Sequence, residues 1–200
     1  MSSSERKETV NLVFRILGFI FLIAGVLIFL KIYSPVVSAE VVYQTSKIIP
    51  KKNEIIPLNT DFSIVIPKIN VNTKVVKNVD PFDSSIYQKA LTQGVAHAKG
   101  SGLPGFPGNV FIFAHSASNW YQANQYNAVF YLTNKLESGD QIIIYYENSK
   151  YVYTVTEKKI VAGTDINYLS NNNLNTKTLT LMTCWPPGTT LNRLVVMASL

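Results

Sequence analysis

The apolar and polar positions of this chain divide it into three stretches of different character. Residues 16–30 carry no charge and are bracketed by Arg15 and Lys31. With their flanks, residues 10–37 are long enough as a helix to cross a hydrocarbon core of about 30 Å, and the end cations can snorkel to its faces. Arg6, Lys7 and Arg15 lie on the N-terminal side. The positive-inside tendency therefore predicts a cytoplasmic segment 1–9, a signal-anchor at 10–37 and everything later outside the cell. A cleaved signal peptide is the alternative, because Val37-Ser38-Ala39 has the small residues of a cleavage site. Residues 38–60, with Pro50, Pro57 and a polar mix around Lys51-Lys52, predict a stalk with little fixed structure.

From residue 61 the pattern turns to short extended segments. Phe62-Ser63-Ile64-Val65-Ile66, then Val71 and Val75-Val76, read as strands. Asp83 or Ser84 is placed to cap a short helix ending at Leu91, with Gly94 beyond it. The glycine- and proline-rich 100–108 is a loop, and the run Asn109-Val110-Phe111-Ile112-Phe113-Ala114 is a buried strand that ends at His115. Residues 120–136 suggest a short helix or turn. Segments 141–146 and 151–156 bracket Glu147-Asn148-Ser149-Lys150 as a hairpin that Ile160-Val161 extends, and 165–177 is an Asn-rich loop. Last come two alternating runs, Thr178 to Cys184 and Arg193 to Ala198, around a Pro186-Pro187-Gly188 breaker. Many short strands and few helices predict a mainly β domain over 61–200, closed or nearly closed into a barrel, since open edges invite association.

Composition adds bounds. The 200 residues are 47% hydrophobic and 15% charged, enough for one ordinary domain with a real core. The net charge of +6 is spread over scattered lysines, which suits an anionic envelope and gives no nucleic-acid footprint. The acidic residues Asp80, Asp83, Asp140 and Asp165 sit in separate turns without metal-loop spacing, so no metal and no cofactor are expected.

The chemistry concentrates in the last hairpin. Cys184 is the only cysteine, so in an exported chain its thiol is either inert in the core or free to react. It ends a strand beside a Pro-rich loop, where side chains emerge from a sheet. Arg193 opens the next strand. If the two strands pair antiparallel, the loop returns a guanidinium toward the thiol, where it would favour a thiolate and donate to a developing oxyanion. The bland alternative for Arg193 is a surface salt bridge. Two histidines compete as the base: His97 precedes the glycine-rich loop, and His115 ends a buried strand, the same kind of position as Cys184. A catalytic imidazole needs rigid support within reach of its partner, which favours His115 and leaves His97 structural.

Taken together, several segments resemble the sortases, membrane-anchored cysteine transpeptidases. They are Ile66-Pro67-Lys68-Ile69-Asn70-Val71, Gly94-Val95-Ala96-His97, Leu103-Pro104-Gly105, the stretch from Gly108 to Ser116, Thr180-Leu181-Met182-Thr183-Cys184 and Arg193-Leu194-Val195-Val196. The resemblance implies an eight-stranded β-barrel preceded by a transmembrane helix. It also implies Cys184 as nucleophile, His115 as general acid and base, and Arg193 as the oxyanion and substrate-positioning group. Ala114, Ser116, Thr183 and Trp185 would contact substrate. The implied partners are proteins with C-terminal LPxTG-like sorting signals and an amine acceptor, a peptidoglycan precursor or a pilin lysine. Asp80-Pro81-Phe82 is similar to the lid motif of pilus-building sortases, but it follows the Ile66-Pro67 strand where the family's lid lies ahead of the barrel, and it reads as a turn into the helix. The match is nearest to the lidless class D and E sortases. Two alternatives stand beside it: a cysteine peptidase or amidase of envelope peptides, which uses the same triad but lets water resolve the acyl enzyme, and a tethered barrel that only binds envelope polymers and does not need Cys184.

Overall fold

The computed structural model describes residues 3–48, 55–116, 129–169 and 175–200. The chain divides into two compact units, 1–34 and 35–200. Helix α1 spans Ser3–Ile48, and its Asn11–Lys31 portion is long and apolar enough to cross a membrane.

The predicted stalk is more ordered than expected. The helix continues to Ile48, held locally by Gln44 Nε2 donating to Glu40 Oε1 at 2.7 Å and by Thr45 Oγ1 donating to the Val41 carbonyl. Tyr43 is buried in the same core as the barrel strands, with the Lys135 ammonium 5.8 Å from its ring centre. Farther on, Asn72 fixes the approach to the barrel: its Oδ1 accepts from Leu58 N and its Nδ2 donates to the Ile56 carbonyl. Composition alone hid the Tyr43 and Asn72 anchors because their partners are distant in sequence.

Eight strands close into a barrel: β1 (Phe62–Ile66), β2 (Val71–Val79), β3 (Val95–Ala98), β4 (Gly108–Phe113), β5 (Gln141–Tyr146), β6 (Ser149–Ala162), β7 (Lys177–Trp185) and β8 (Asn192–Ser199). Around the barrel the order is β1-β2-β3-β4-β7-β8-β6-β5, and β5 pairs back onto β1. Closure leaves no open edge. Ile64, Ile112, Ile144, Tyr153, Leu179 and Leu181 are fully buried members of the core.

Two pairings are parallel, β2 with β3 and β4 with β7. The first needs a crossover, which helix α2 (Ser84–Leu91) supplies. Asp83 starts it as expected: its carboxylate accepts from Ser85 N and Ile86 N, satisfying donors that a helix start leaves open. Phe82 N also bonds Asp80 Oδ1, so Asp80-Pro81-Phe82 is a turn into α2. The β5–β6 hairpin is tighter than predicted. Glu147 and Asn148 both take positive φ, 48° and 61°, and Tyr146 pairs directly with Ser149. That two-residue geometry follows the strand twist, so β6 begins earlier than a four-residue loop would allow.

Candidate functional site

The parallel β4–β7 pairing determines where the chemistry meets. Strands lying parallel end at the same rim, and Phe113 pairs with Met182. Ala114 N continues the ladder by donating to the Met182 carbonyl. Two residues past that pair lie His115, just beyond the end of β4, and Cys184, near the end of β7, and both line the same cavity. β8 runs antiparallel to β7, and Cys184 stands directly opposite Arg193. Hence the end of β4, the end of β7 and the start of β8 converge at one rim, although the three residues lie far apart in sequence.

His115, Cys184 and Arg193 all line one cavity of about 240 Å³, and all three are half-buried. Its opposite wall is α2, through Tyr87, Gln88 and Leu91. The Tyr87 ring meets Phe113 edge-on at 6.3 Å, which seats the helix against β4. Gly188, Thr189 and Thr190 of the β7–β8 loop complete the rim.

Burial holds the His115 imidazole below its ordinary pKa of 6.5, so the neutral ring is the resting form at neutral pH. Arg193 Nη1 donates to the Thr190 and Asn192 carbonyls, both at 3.0 Å. Among the described residues no carboxylate pairs with it, and its Nε and Nη2 hydrogens take no partner. A guanidinium anchored at one nitrogen and open at the others can present a fork to an oxyanion.

The four residues expected to contact substrate are placed unequally. Ala114, Ser116 and Thr183 line the cavity but are themselves buried. Thr183 Oγ1 is committed to the Ala114 carbonyl at 2.8 Å, clamping β7 to the end of β4. Trp185 is half-buried and lies outside the lining residues. Sequence reasoning passed over the α2 wall. Its signal was present, since residues 87, 88 and 91 share one helical face, but the cap and length of that segment spoke only of a helix.

His97 lies apart from the cavity lining and is buried in a fixed network. Its Nδ1 accepts from Asn78 N at 3.2 Å, so the proton sits on Nε2, which is 2.9 Å from the Gly102 carbonyl and from Ser101 Oγ. Ser101 Oγ in turn donates to the Ala98 carbonyl and accepts from Phe111 N. The ring thus staples β2, β3 and the loop before β4. Burial lowers its pKa, with the Lys77 charge adding in the same direction and the Gly102 carbonyl opposing.

Comparison with known proteins agrees with this architecture. Residues 64–200 match the family model for the sortase domain. "Sortase D" of Bacillus subtilis (strain 168) is 29% identical over 121 residues, 60% of this chain; the match spans about half, 52%, of that relative's length. Among solved structures, a Clostridium perfringens sortase D5 transpeptidase superposes with a TM-score of 0.57 at 26% identity, covering 80% of this chain and 88% of that one. Sortase A of Listeria monocytogenes gives 0.55 at 25% identity, covering 70% and 86%. Sortase C-1 of Actinomyces oris gives 0.58 at 22% identity over 82% and 97%, a likeness of fold. With the domain model covering most of the chain and the eight-stranded barrel in place, this protein belongs to the sortase family.

Proposed function

We propose that the chain is a membrane-anchored cysteine transpeptidase that cleaves an LPxTG-like sorting signal and passes the acyl product to an amine. The observation that supports it most is the cross-strand opposition of Cys184 and Arg193, with His115 lining the same cavity.

In the first half-reaction His115, neutral at rest, takes the thiol proton, and Cys184 Sγ attacks the carbonyl of the signal's threonine. Charge collects on the carbonyl oxygen, where the free N–H groups of Arg193 donate to it. The tetrahedral species collapses as His115 gives its proton to the departing amine, leaving a thioester on Cys184. In the second half-reaction an incoming amine attacks that thioester, His115 takes its proton, and the thiol is regenerated. Only the imidazole changes charge near neutral pH, so it moves the protons while the guanidinium stays cationic. The apolar part of the cavity, Tyr87, Leu91, Phe113 and Met182, suits the leucine and proline of such a signal.

Arg6, Lys7 and Arg15 ahead of the apolar helix support a single-pass anchor with residues 61–200 outside the cell. There the partners would be surface proteins or pilins as acyl donors, and a peptidoglycan precursor or pilin lysine as acceptor. The test is partition of the thioacyl enzyme. With a fluorogenic sorting peptide and a glycine peptide as amine, ligated product should form at the expense of hydrolysis. Hydrolysis that ignores added amine would make the protein a peptidase instead.

A further inference from the structure

Gly163 stands where two segments leave the barrel side by side. It directly follows β6, and the final rungs of the β6–β8 ladder pair Val161 with Arg193 and Ala162 with Asn192. Past those rungs the β7–β8 loop packs against the turn that carries Gly163, a turn closed by Asp165 N donating to the Ala162 carbonyl at 3.0 Å. The backbone of Gly163 lies outside the left-handed region, so conformation alone does not call for glycine there. Space does. A Cβ at this position would come 3.1 Å from the Thr190 carbonyl oxygen, 3.1 Å from the Leu191 carbonyl oxygen and 3.4 Å from Arg193 Nη1. Both carbonyl distances are shorter than ordinary van der Waals contact, and both oxygens belong to the backbone. The first and third of these atoms are the acceptor and the donor of one hydrogen bond, from Arg193 Nη1 to Thr190 at 3.0 Å. With its companion to the Asn192 carbonyl, that bond anchors the guanidinium. A side chain at 163 would therefore press on both ends of the anchor at once.

We infer that Gly163 is a positioning residue for Arg193: by carrying no side chain it lets the Thr190 carbonyl and Nη1 close on each other, which holds the guanidinium at the cavity it lines. This deepens the transpeptidase reading and rests on the oxyanion role given there to Arg193. An arginine side chain has several rotatable bonds, so its planar fork is useful only where something fixes it. Misplacing a reacting or stabilising group by about 1 Å costs on the order of a hundredfold in rate. The oxyanion exists in the tetrahedral species and not in the bound peptide, so a disturbed anchor lowers kcat and leaves KM nearly unchanged. Gly163 thus acts on the chemistry from β6, a strand that supplies none of the three reacting side chains.

The experiment measures kcat and KM on a Leu-Pro-X-Thr-Gly peptide for wild type, Gly163→Ala and Gly163→Val, each alone and combined with Arg193→Lys, and takes a urea midpoint for every protein. Gly163→Val should lower kcat about tenfold with KM within about twofold, and Gly163→Ala should lower it about threefold. Combined with Arg193→Lys, the same substitutions should change kcat less than about twofold, because the anchor they disturb is already gone. A folded Gly163→Val with the kcat of wild type would overturn the assignment and leave the transpeptidase intact. So would a loss that persists undiminished beside Arg193→Lys, since it would come from general packing of the loop. If the urea midpoint shows that Gly163→Val does not fold, Gly163→Ala decides the matter in the same way: a kcat equal to wild type overturns the assignment, and a loss that vanishes beside Arg193→Lys upholds it. A wild-type kcat in Arg193→Lys alone would remove the oxyanion role from the proposed mechanism, and the role of Gly163 falls with it.

Discussion

In the proposed mechanism Arg193 and His115 divide the work of the site because their chemistry differs at the level of single atoms. Replacing Arg193 with lysine keeps the charge and removes the planar fork anchored on Thr190 and Asn192. kcat is expected to fall about 100-fold, the usual scale for losing an oxyanion donor, with little change in KM. Steady-state kinetics on a sorting peptide check both parts. His115 should set the acid limb of the rate profile. Its pKa in the folded protein lies below 6.5, so the ring gains its inhibitory proton only as pH falls past that value. kcat/KM should therefore stay flat from neutral pH down to about 6.5 and drop below it. An acid limb starting well above 6.5 would contradict the buried environment.

The second histidine makes a separate statement about stability. His97 is also depressed in the folded state, so folding favours the neutral ring. Its contribution is complete above the unfolded value of 6.5 and is lost as pH falls from there through the lower folded value. In a His115→Ala protein, where His97 is the only histidine left, the melting temperature should still fall between pH 7.5 and 5. A flat profile would mean that the network of Asn78, Ser101 and Gly102 does not hold the ring neutral. The placement of Cys184, His115 and Arg193 at one rim was readable from sequence, because strand ends and loop breakers mark where side chains leave a sheet. The α2 wall of the cavity was not: residues 87, 88 and 91 carry no signal of a cavity until the helix is seated against β4.

At the scale of elements, α2 is where local sequence and tertiary structure agree most closely. Asp83 caps it, Leu91 ends it buried, and Gly94 turns the chain into β3. That glycine has a packing reason. A Cβ at position 94 would come 2.3 Å from the Lys74 carbonyl oxygen, which is backbone and cannot swing aside. Gly94→Ala should destabilise the domain by about 1–3 kcal/mol, the cost of overpacking, read as a lower midpoint in urea unfolding. An unchanged midpoint would mean that β2 and β3 yield more easily than a barrel ladder should. Strand β3 was invisible in advance because Val95-Ala96-His97-Ala98 is short and interrupted by a polar ring, and its strand character comes from β2 and β4 on either side. The lower part of α1 was missed for a related reason, since Tyr43 finds its burial against residues far along the chain.

At the scale of the molecule, barrel closure makes one rim from the ends of β4, β7 and β8. Strand count and turn punctuation were enough to expect a closed β domain, because only closure removes the edges of so many short strands. The order around the barrel was not available, since parallel β4–β7 pairing joins strands separated by more than 60 residues. That pairing carries His115 to Cys184, and so it carries the proposed chemistry. The most direct measurement is the intact mass of residues 61–200 during turnover of a sorting peptide, with and without an amine acceptor. The wild-type domain should gain the mass of the acyl fragment on Cys184, lose it when the amine is added, and release ligated product. Cys184→Ala should gain nothing and turn over at least about a thousandfold more slowly. Turnover by Cys184→Ala at the wild-type rate, or an acyl mass attached at another residue, would contradict the mechanism.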